Sequence, residues 1–132
     1  MFTRIDHVEI VPTDFERSYR FYTEVLGFRE HDRTEIGAPP LRKVVYLTLG
    51  DTMLELLDVE DPPTSPRRPF QAGYQMMALE AKDMEAALAY LRERGHPCVW
   101  GPHPSNLGSL RAEIRDPDDL PIELRQWQAR EE

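Results

Sequence analysis

The chain is written twice. His7-Val8-Glu9-Ile10 is followed, seven residues on from His7, by Asp14-Phe15-Glu16-Arg17-Ser18-Tyr19, and the stretch closes at Gly27. Met76-Met77-Ala78-Leu79 is followed after the same seven by Asp83-Met84-Glu85-Ala86-Ala87-Leu88 and closes at Gly95. Farther on, Glu55 in Leu54-Glu55-Leu56 stands 48 residues after His7, and Glu123 in Ile122-Glu123-Leu124 stands 47 after Met76. His7 and Met76 therefore hold equivalent positions, and so do Glu55 and Glu123. A period of about 69 residues is a whole module, too long for a solenoid unit.

Each copy reads as one strand, one helix and three strands. Arg4 to Val11 alternates β-branched and polar residues. Asp14 is placed to cap a helix whose inward stripe is Phe15, Ser18, Tyr19, Tyr22, Val25 and Leu26, with Gly27 at its C-terminal cap. Phe28 to Ile36 reads as a polar edge strand, broken by Gly37-Ala38-Pro39-Pro40. Lys43 to Leu49 and Thr52 to Val59 form a hairpin around Gly50-Asp51. In the second copy Tyr74 to Ala81 is the strand and Asp83 to Arg94 the helix, with Met84, Ala87, Leu88 and Leu91 inward. Cys98 to Gly101 is a short strand, and Gly108 to Arg115 and Pro121 to Trp127 form the last hairpin. Its turn, Asp116-Pro117-Asp118-Asp119, has no glycine to ease it. Module one thus spans 3–59, a proline-rich linker 60–73 and module two 74–127, within a single α+β domain over 1–132; the tail 128–132 is expected to fray.

Composition narrows the function. Twenty-four acidic against sixteen basic residues leave a formal charge of −8, unsuited to nucleic acid or an anionic membrane. No apolar run approaches the length of a bilayer span, and the N-terminus shows no secretory signal. The single Cys98 cannot pair within the chain, which fits a reducing cytoplasm, and reads as a small packing residue. The expected partner is a small-molecule substrate.

Strand alternation decides which side chains share a face. If Val8 and Ile10 pack on the helix, Ile5, His7 and Glu9 point the other way. Leu54 and Leu56 on the helix side leave Met53, Glu55 and Leu57 opposite, and Ile122 and Leu124 leave Glu123, Arg125 and Trp127. Met77 and Leu79 leave Tyr74, Met76 and Ala78. An approximate two-fold between modules would then collect His7, Glu55 and Glu123 with Met76 in one pocket. Two carboxylates in a pocket repel unless positive charge lies between them, which a cation, a protonated His7 or Arg125 could supply.

These residues resemble the vicinal oxygen chelate superfamily, which includes glyoxalase I, methylmalonyl-CoA epimerase, extradiol dioxygenases and bleomycin-resistance proteins. The resemblance runs from Arg4 to Trp127. It is carried by Asp6-His7-Val8, by Arg20-Phe21-Tyr22-Thr23-Glu24-Val25-Leu26-Gly27-Phe28, by Leu54-Glu55-Leu56-Leu57, and by Asp116-Pro117-Asp118 with Ile122-Glu123-Leu124. It implies two βαβββ modules paired into an open, barrel-like mixed sheet with the helices outside, and a homodimer. It also implies a divalent metal (Zn, Ni, Co, Mn or Fe) on His7, Glu55 and Glu123, with Glu55 or Glu123 as catalytic base. Met76, Arg125 and Trp127 would line the substrate pocket.

The chain departs from that pattern at Met76, where the resemblance would place a histidine. A soft thioether is a poor ligand beside imidazole and carboxylates, so Met76 reads as pocket lining, and an iron site of two histidines and a glutamate is not available. His103, between two prolines, is a candidate replacement imidazole. His31 and His96 read as surface residues, and Arg67 and Arg68 as solvated linker residues or contacts for a phosphate. Two functions follow: metal-assisted proton abstraction next to a carbonyl, or metal-free binding of a drug or metabolite.

Overall fold

An aspartate opens the helix of each module. Asp14 Oδ1 accepts from the Arg17 amide at 3.2 Å and Asp83 Oδ1 from the Ala86 amide at 3.0 Å, each satisfying a donor the first turn leaves free. In this computed structural model, which describes residues 1–128, α1 runs over Phe15–Arg20 and α2 over Met84–Glu93. The expected fraying tail lies, apart from Gln128, outside the described residues.

The continuous first helix needs correcting. After α1 the chain widens into a π-type turn over Phe21–Val25. Phe21 and Tyr22, neighbours in sequence, are both buried there, whereas the stripe read from the sequence takes Tyr22 and not Phe21. Both helices stop as read. Gly27 and Gly95 take φ of +86° and +83°, and the amides beyond them, Phe28 and His96, reach back to Tyr22 and Leu91 at 2.9 and 2.8 Å.

The chain divides into two compact units, Met1–Pro66 and Arg67–Glu132, with the division inside the expected linker. In the first, β1 (Val8–Ile10) runs parallel to β4 (Thr52–Val59), and β3 (Leu41–Leu49) and β2 (Arg29–Ala38) follow antiparallel in the order β1-β4-β3-β2. The second repeats it. There β5 (Met77–Glu80) is parallel to β8 (Pro121–Gln126), with β7 (Leu110–Arg115) and β6 (Trp100–Pro104) beyond, in the order β5-β8-β7-β6. Each module is βαβββ with an open, mixed four-stranded sheet, so the α+β reading holds.

Strand ends differ from expectation where partners run out. Only three residues of the first strand find a register on β4, so β1 is shorter than Arg4 to Val11. Tyr74 is fully exposed before β5 and neither packs nor lines a pocket. The sixth strand starts two residues and ends three residues later than read, and carries an irregularity between Trp100 and His103. The turn without glycine closes on an aspartate instead: Asp116 Oδ1 accepts from the amides of Asp118 and Leu120 at 2.8 and 2.9 Å, while Asp119 takes a φ of +63°. Aspartate tolerates that conformation and makes such local bonds, which is how the turn forms without glycine.

Each core lies between helix and sheet. Val45, Leu47, Leu54 and Leu56 bury with Phe15, Phe21 and Tyr22; Ala112, Ile114, Ile122 and Leu124 bury with Met84, Leu88 and Leu91. Val8, assigned to the helix side, pairs with Leu54 yet stays 46% exposed, because β1 lies at the edge of its sheet. Among the described residues no helix is long and apolar enough to cross a membrane.

Candidate functional site

In module one the strand register builds a cluster of ionisable groups. Glu9 pairs with Glu55 across β1 and β4, and Tyr46 pairs with Glu55 across β3 and β4. Paired residues share a face, so all three lie opposite the core-facing Leu54 and Leu56. His7, two residues before Glu9, completes the set. Its Nε2 lies 3.2 Å from Glu55 Oε2 and 3.7 Å from Glu9 Oε2. Its Nδ1 lies 2.8 Å from Asp6 Oδ2, and its ring meets Tyr46 edge-on at 5.8 Å between centroids.

Burial gives this cluster its chemistry. Glu55 is only 6% exposed, while Glu9 is open to solvent. The hydrogen bond to Asp6 raises the His7 pKa, helped by the charges of Glu55, Asp6 and Glu9 against the burial that would lower it. Tyr46 lies across the strand pair from Glu55, whose carboxylate holds the phenol's pKa above its usual value. Among the described residues no guanidinium or ammonium pairs with Glu55; its only cationic partner would be a protonated His7.

Module two repeats the backbone and changes the side chains. Ala78 pairs with Glu123 where Glu9 pairs with Glu55, and Met76 precedes β5 as His7 precedes β1. Glu123 is held by arginines. Arg111 Nε stands 2.8 Å from Oε1, close enough for an ion pair but not aligned for a hydrogen bond, so its buried N–H lacks an acceptor. Arg125 Nη2 and Nε reach Oε2 at 3.1 and 3.2 Å. Arg125 is itself fixed by Ser109 Oγ at 3.0 Å and Asn106 Oδ1 at 3.2 Å. Trp127 stacks on Arg125 at 4.9 Å and Trp100 on Arg111 at 4.8 Å. A cavity of about 340 Å³ opens beside Glu123, Arg125, Trp127, Asn106 and Ala78.

The sequence candidates thus fall into two groups. His7 and Glu55 come together in the first unit; Glu123, Arg125 and Trp127 come together in the second, with Met76 half-buried at its strand entrance. Glu9 was placed on the His7 face but not named as a ligand, and Arg111 was missed. For Glu9 the signal was its alternation with His7; Arg111 is the cross-strand partner of Arg125, which only the hairpin register reveals. His103 stacks edge-on against Trp100 at 4.8 Å, and His31 is exposed on β2. His96, read as a surface residue, is half-buried, and its amide closes the α2 cap. Arg67 donates to the carbonyls of Tyr74 and Gln75. Cys98 is half-buried, its thiol donating to the Gly101 carbonyl at 3.4 Å.

Known proteins resemble this chain along nearly its whole length. Bovine mitochondrial methylmalonyl-CoA epimerase is 28% identical, over 84% of this chain and 73% of its own. The solved glyoxalase I of Leishmania major is 25% identical with a TM-score of 0.75, covering 95% of this chain and 87% of that one. TnmS3, an antibiotic-binding protein from Streptomyces sp. CB03234, is also 25% identical with a TM-score of 0.75, covering 95% and 98%. The family model for the glyoxalase/bleomycin resistance protein/dioxygenase superfamily matches residues 4–124, and with the duplicated βαβββ fold it establishes that the chain belongs to this superfamily.

Proposed function

We propose that the protein is a metal-dependent enzyme that abstracts a proton from carbon next to a carbonyl, as a lyase or isomerase acting on a small thioester or thiohemiacetal. The observation that carries this reading is the His7–Glu55 pair, a buried carboxylate 3.2 Å from an imidazole nitrogen with no guanidinium paired to it among the described residues. Imidazole and carboxylate suit a borderline or hard divalent ion, Zn, Ni, Co, Mn or Fe, and a buried carboxylate without a fixed counter-charge favours one. When bound, such an ion would polarise the carbonyl oxygen and offset the charge that develops on it. His7 and Glu55 would hold the ion, with Asp6 fixing the ring of His7. A carboxylate, Glu55 or Glu123, would take and return the proton. Glu123 starts with both oxygens engaged by Arg111 and Arg125, so acting as the base would require it to release one of them.

The resemblances to an epimerase and to glyoxalase I support this chemistry. The test is metal analysis of protein purified without chelator, with solvent-deuterium exchange at the α-carbon of a methylmalonyl thioester. A stoichiometric divalent ion, absent from His7→Ala, and exchange that depends on it are expected. No ion after soaking in Zn, Ni, Co or Mn would overturn the reading. We also propose a cytoplasmic homodimer, which light scattering would report as twice the chain mass.

A second reading is favoured by Met76 and by the arginines on Glu123: a metal-free protein that binds a small molecule without converting it, as the likeness to an antibiotic-binding protein suggests. The same metal analysis separates the two.

A further inference from the structure

We propose that Glu9 is a metal ligand, and that His7, Glu9 and Glu55 form a three-ligand site complete within the first module. The inference rests on the metal reading above and goes beyond it, because that reading gives the ion only His7 and Glu55. Three ligand atoms, one from each of these side chains, lie within 4.8 Å of one another. Two ligands each about 2.1 Å from one tetrahedral ion stand about 3.4 Å apart. His7 Nε2 stands 3.2 Å from Glu55 and 3.7 Å from Glu9, on either side of that spacing.

The surroundings favour ligation over a plain charge cluster. Asp6 takes the far ring nitrogen of His7, the arrangement that orients an imidazole toward a metal and strengthens it as a donor. Tyr46 is the cross-strand partner of Glu55 and meets the His7 ring edge-on, so an aromatic side chain packs beside the two ligands. Glu9 faces solvent, so three protein ligands leave an open side for water or substrate, as catalytic sites require. Module two shows the converse: Ala78 replaces Glu9, Met76 replaces His7, and the remaining carboxylate carries two guanidiniums. Module one carries both of the additional ligating groups and module two carries neither.

Titration of the full chain with Co²⁺, followed by calorimetry and by the visible spectrum of the bound ion, tests this. One ion per chain is expected. Glu9→Ala should weaken binding at least about tenfold and change the spectrum, since even groups that only support a ligand cost that much. Glu123→Gln should bind as the wild type does. Repeating the titration in about 0.5 M salt excludes a remote charge effect, which is screened over a few ångströms there, whereas ligation is not. If Glu9→Ala binds Co²⁺ with wild-type affinity and spectrum while Glu123→Gln does not, the assignment of Glu9 fails and the metal reading survives. If the wild type itself takes up no Co²⁺, both fail. Glu9 is exposed, so its substitution leaves the fold intact, which circular dichroism verifies.

Discussion

Glu55 and Glu123 sit at equivalent points of the same backbone and live in opposite electrostatic surroundings. In module one the next pair along that face is Val44 and Leu57; in module two it is Arg111 and Arg125. Across the parallel strand, Glu9 in one module is Ala78 in the other. With His7 neutral, Asp6, Glu9 and Glu55 give the first cluster three excess negative charges, while Glu123 with Arg111 and Arg125 carries one excess positive charge. A carboxylate withdrawn from water needs a counter-charge. Module two supplies it from its own strands, with tryptophans stacked on both guanidiniums. Module one leaves that demand to an ion or to the proton on His7. Duplication has thus kept the register and divided the chemistry: one half is suited to a cation, the other to holding its acid in place beside a cavity.

The largest effects should be blind to this difference. Leu56 and Leu124 occupy equivalent core positions on the helix side, at 0% and 4% exposure. Leu56→Ala and Leu124→Ala should each cost about 2–5 kcal/mol in denaturant unfolding, similar in the two modules. A large inequality would show that the modules are not mechanically equivalent.

The next effect should separate them. Co²⁺ at about one hundred times its dissociation constant should stabilise the wild type and Glu123→Gln by about 2.7 kcal/mol, and Glu55→Gln by far less. Without metal the order reverses. Glu123→Gln should cost about 1–2 kcal/mol, a partly buried pair lying between surface and interior cases, because it strands Arg111 and Arg125. Glu55→Gln should cost less, since among the described residues no guanidinium depends on Glu55. Equal losses in the two metal-free variants, read from thermal melts, would break the contrast.

The sequence already displayed the backbone half of this comparison. Spacing alone equated His7 with Met76 and Glu55 with Glu123, and the strand registers bear out both pairs, because a repeated helix and hairpin leave one way to pair the strands. Period-two alternation put Glu9 beside His7 and Arg125 beside Glu123. It could not show that Arg111 would share Glu123 with Arg125, because cross-strand partners depend on hairpin register, and the turn at Asp116 lacked the glycine that normally announces one. The widened turn at Phe21 was equally hidden: a π-type turn breaks the 3.6-residue rhythm by which a helix is read. Strand ends were hidden as well, since a strand stops where its neighbour stops, as β1 does.

The smallest expected effect lies on the edge strand that module one has and module two replaces with the short β6. On β2, Glu30 takes the Arg33 guanidinium at 3.2 Å from Nε and a hydrogen bond from the Tyr19 hydroxyl at 3.0 Å. The Arg33 bond, aided by Tyr19, holds the Glu30 pKa below its ordinary 4.5. A depressed folded-state value means the folded form binds a proton less readily than the unfolded chain does. The contribution is therefore complete above pH 4.5 and disappears as pH falls below that value through the folded pKa. These groups are partly exposed, so solvent and salt mute the effect. Melting temperatures of wild type and Glu30→Gln should differ slightly at neutral pH and converge in acid, with the gap narrowed by salt. A gap that widened as pH fell would mean that Glu30 is better stabilised protonated, and the edge of module one would then owe nothing to this ion pair.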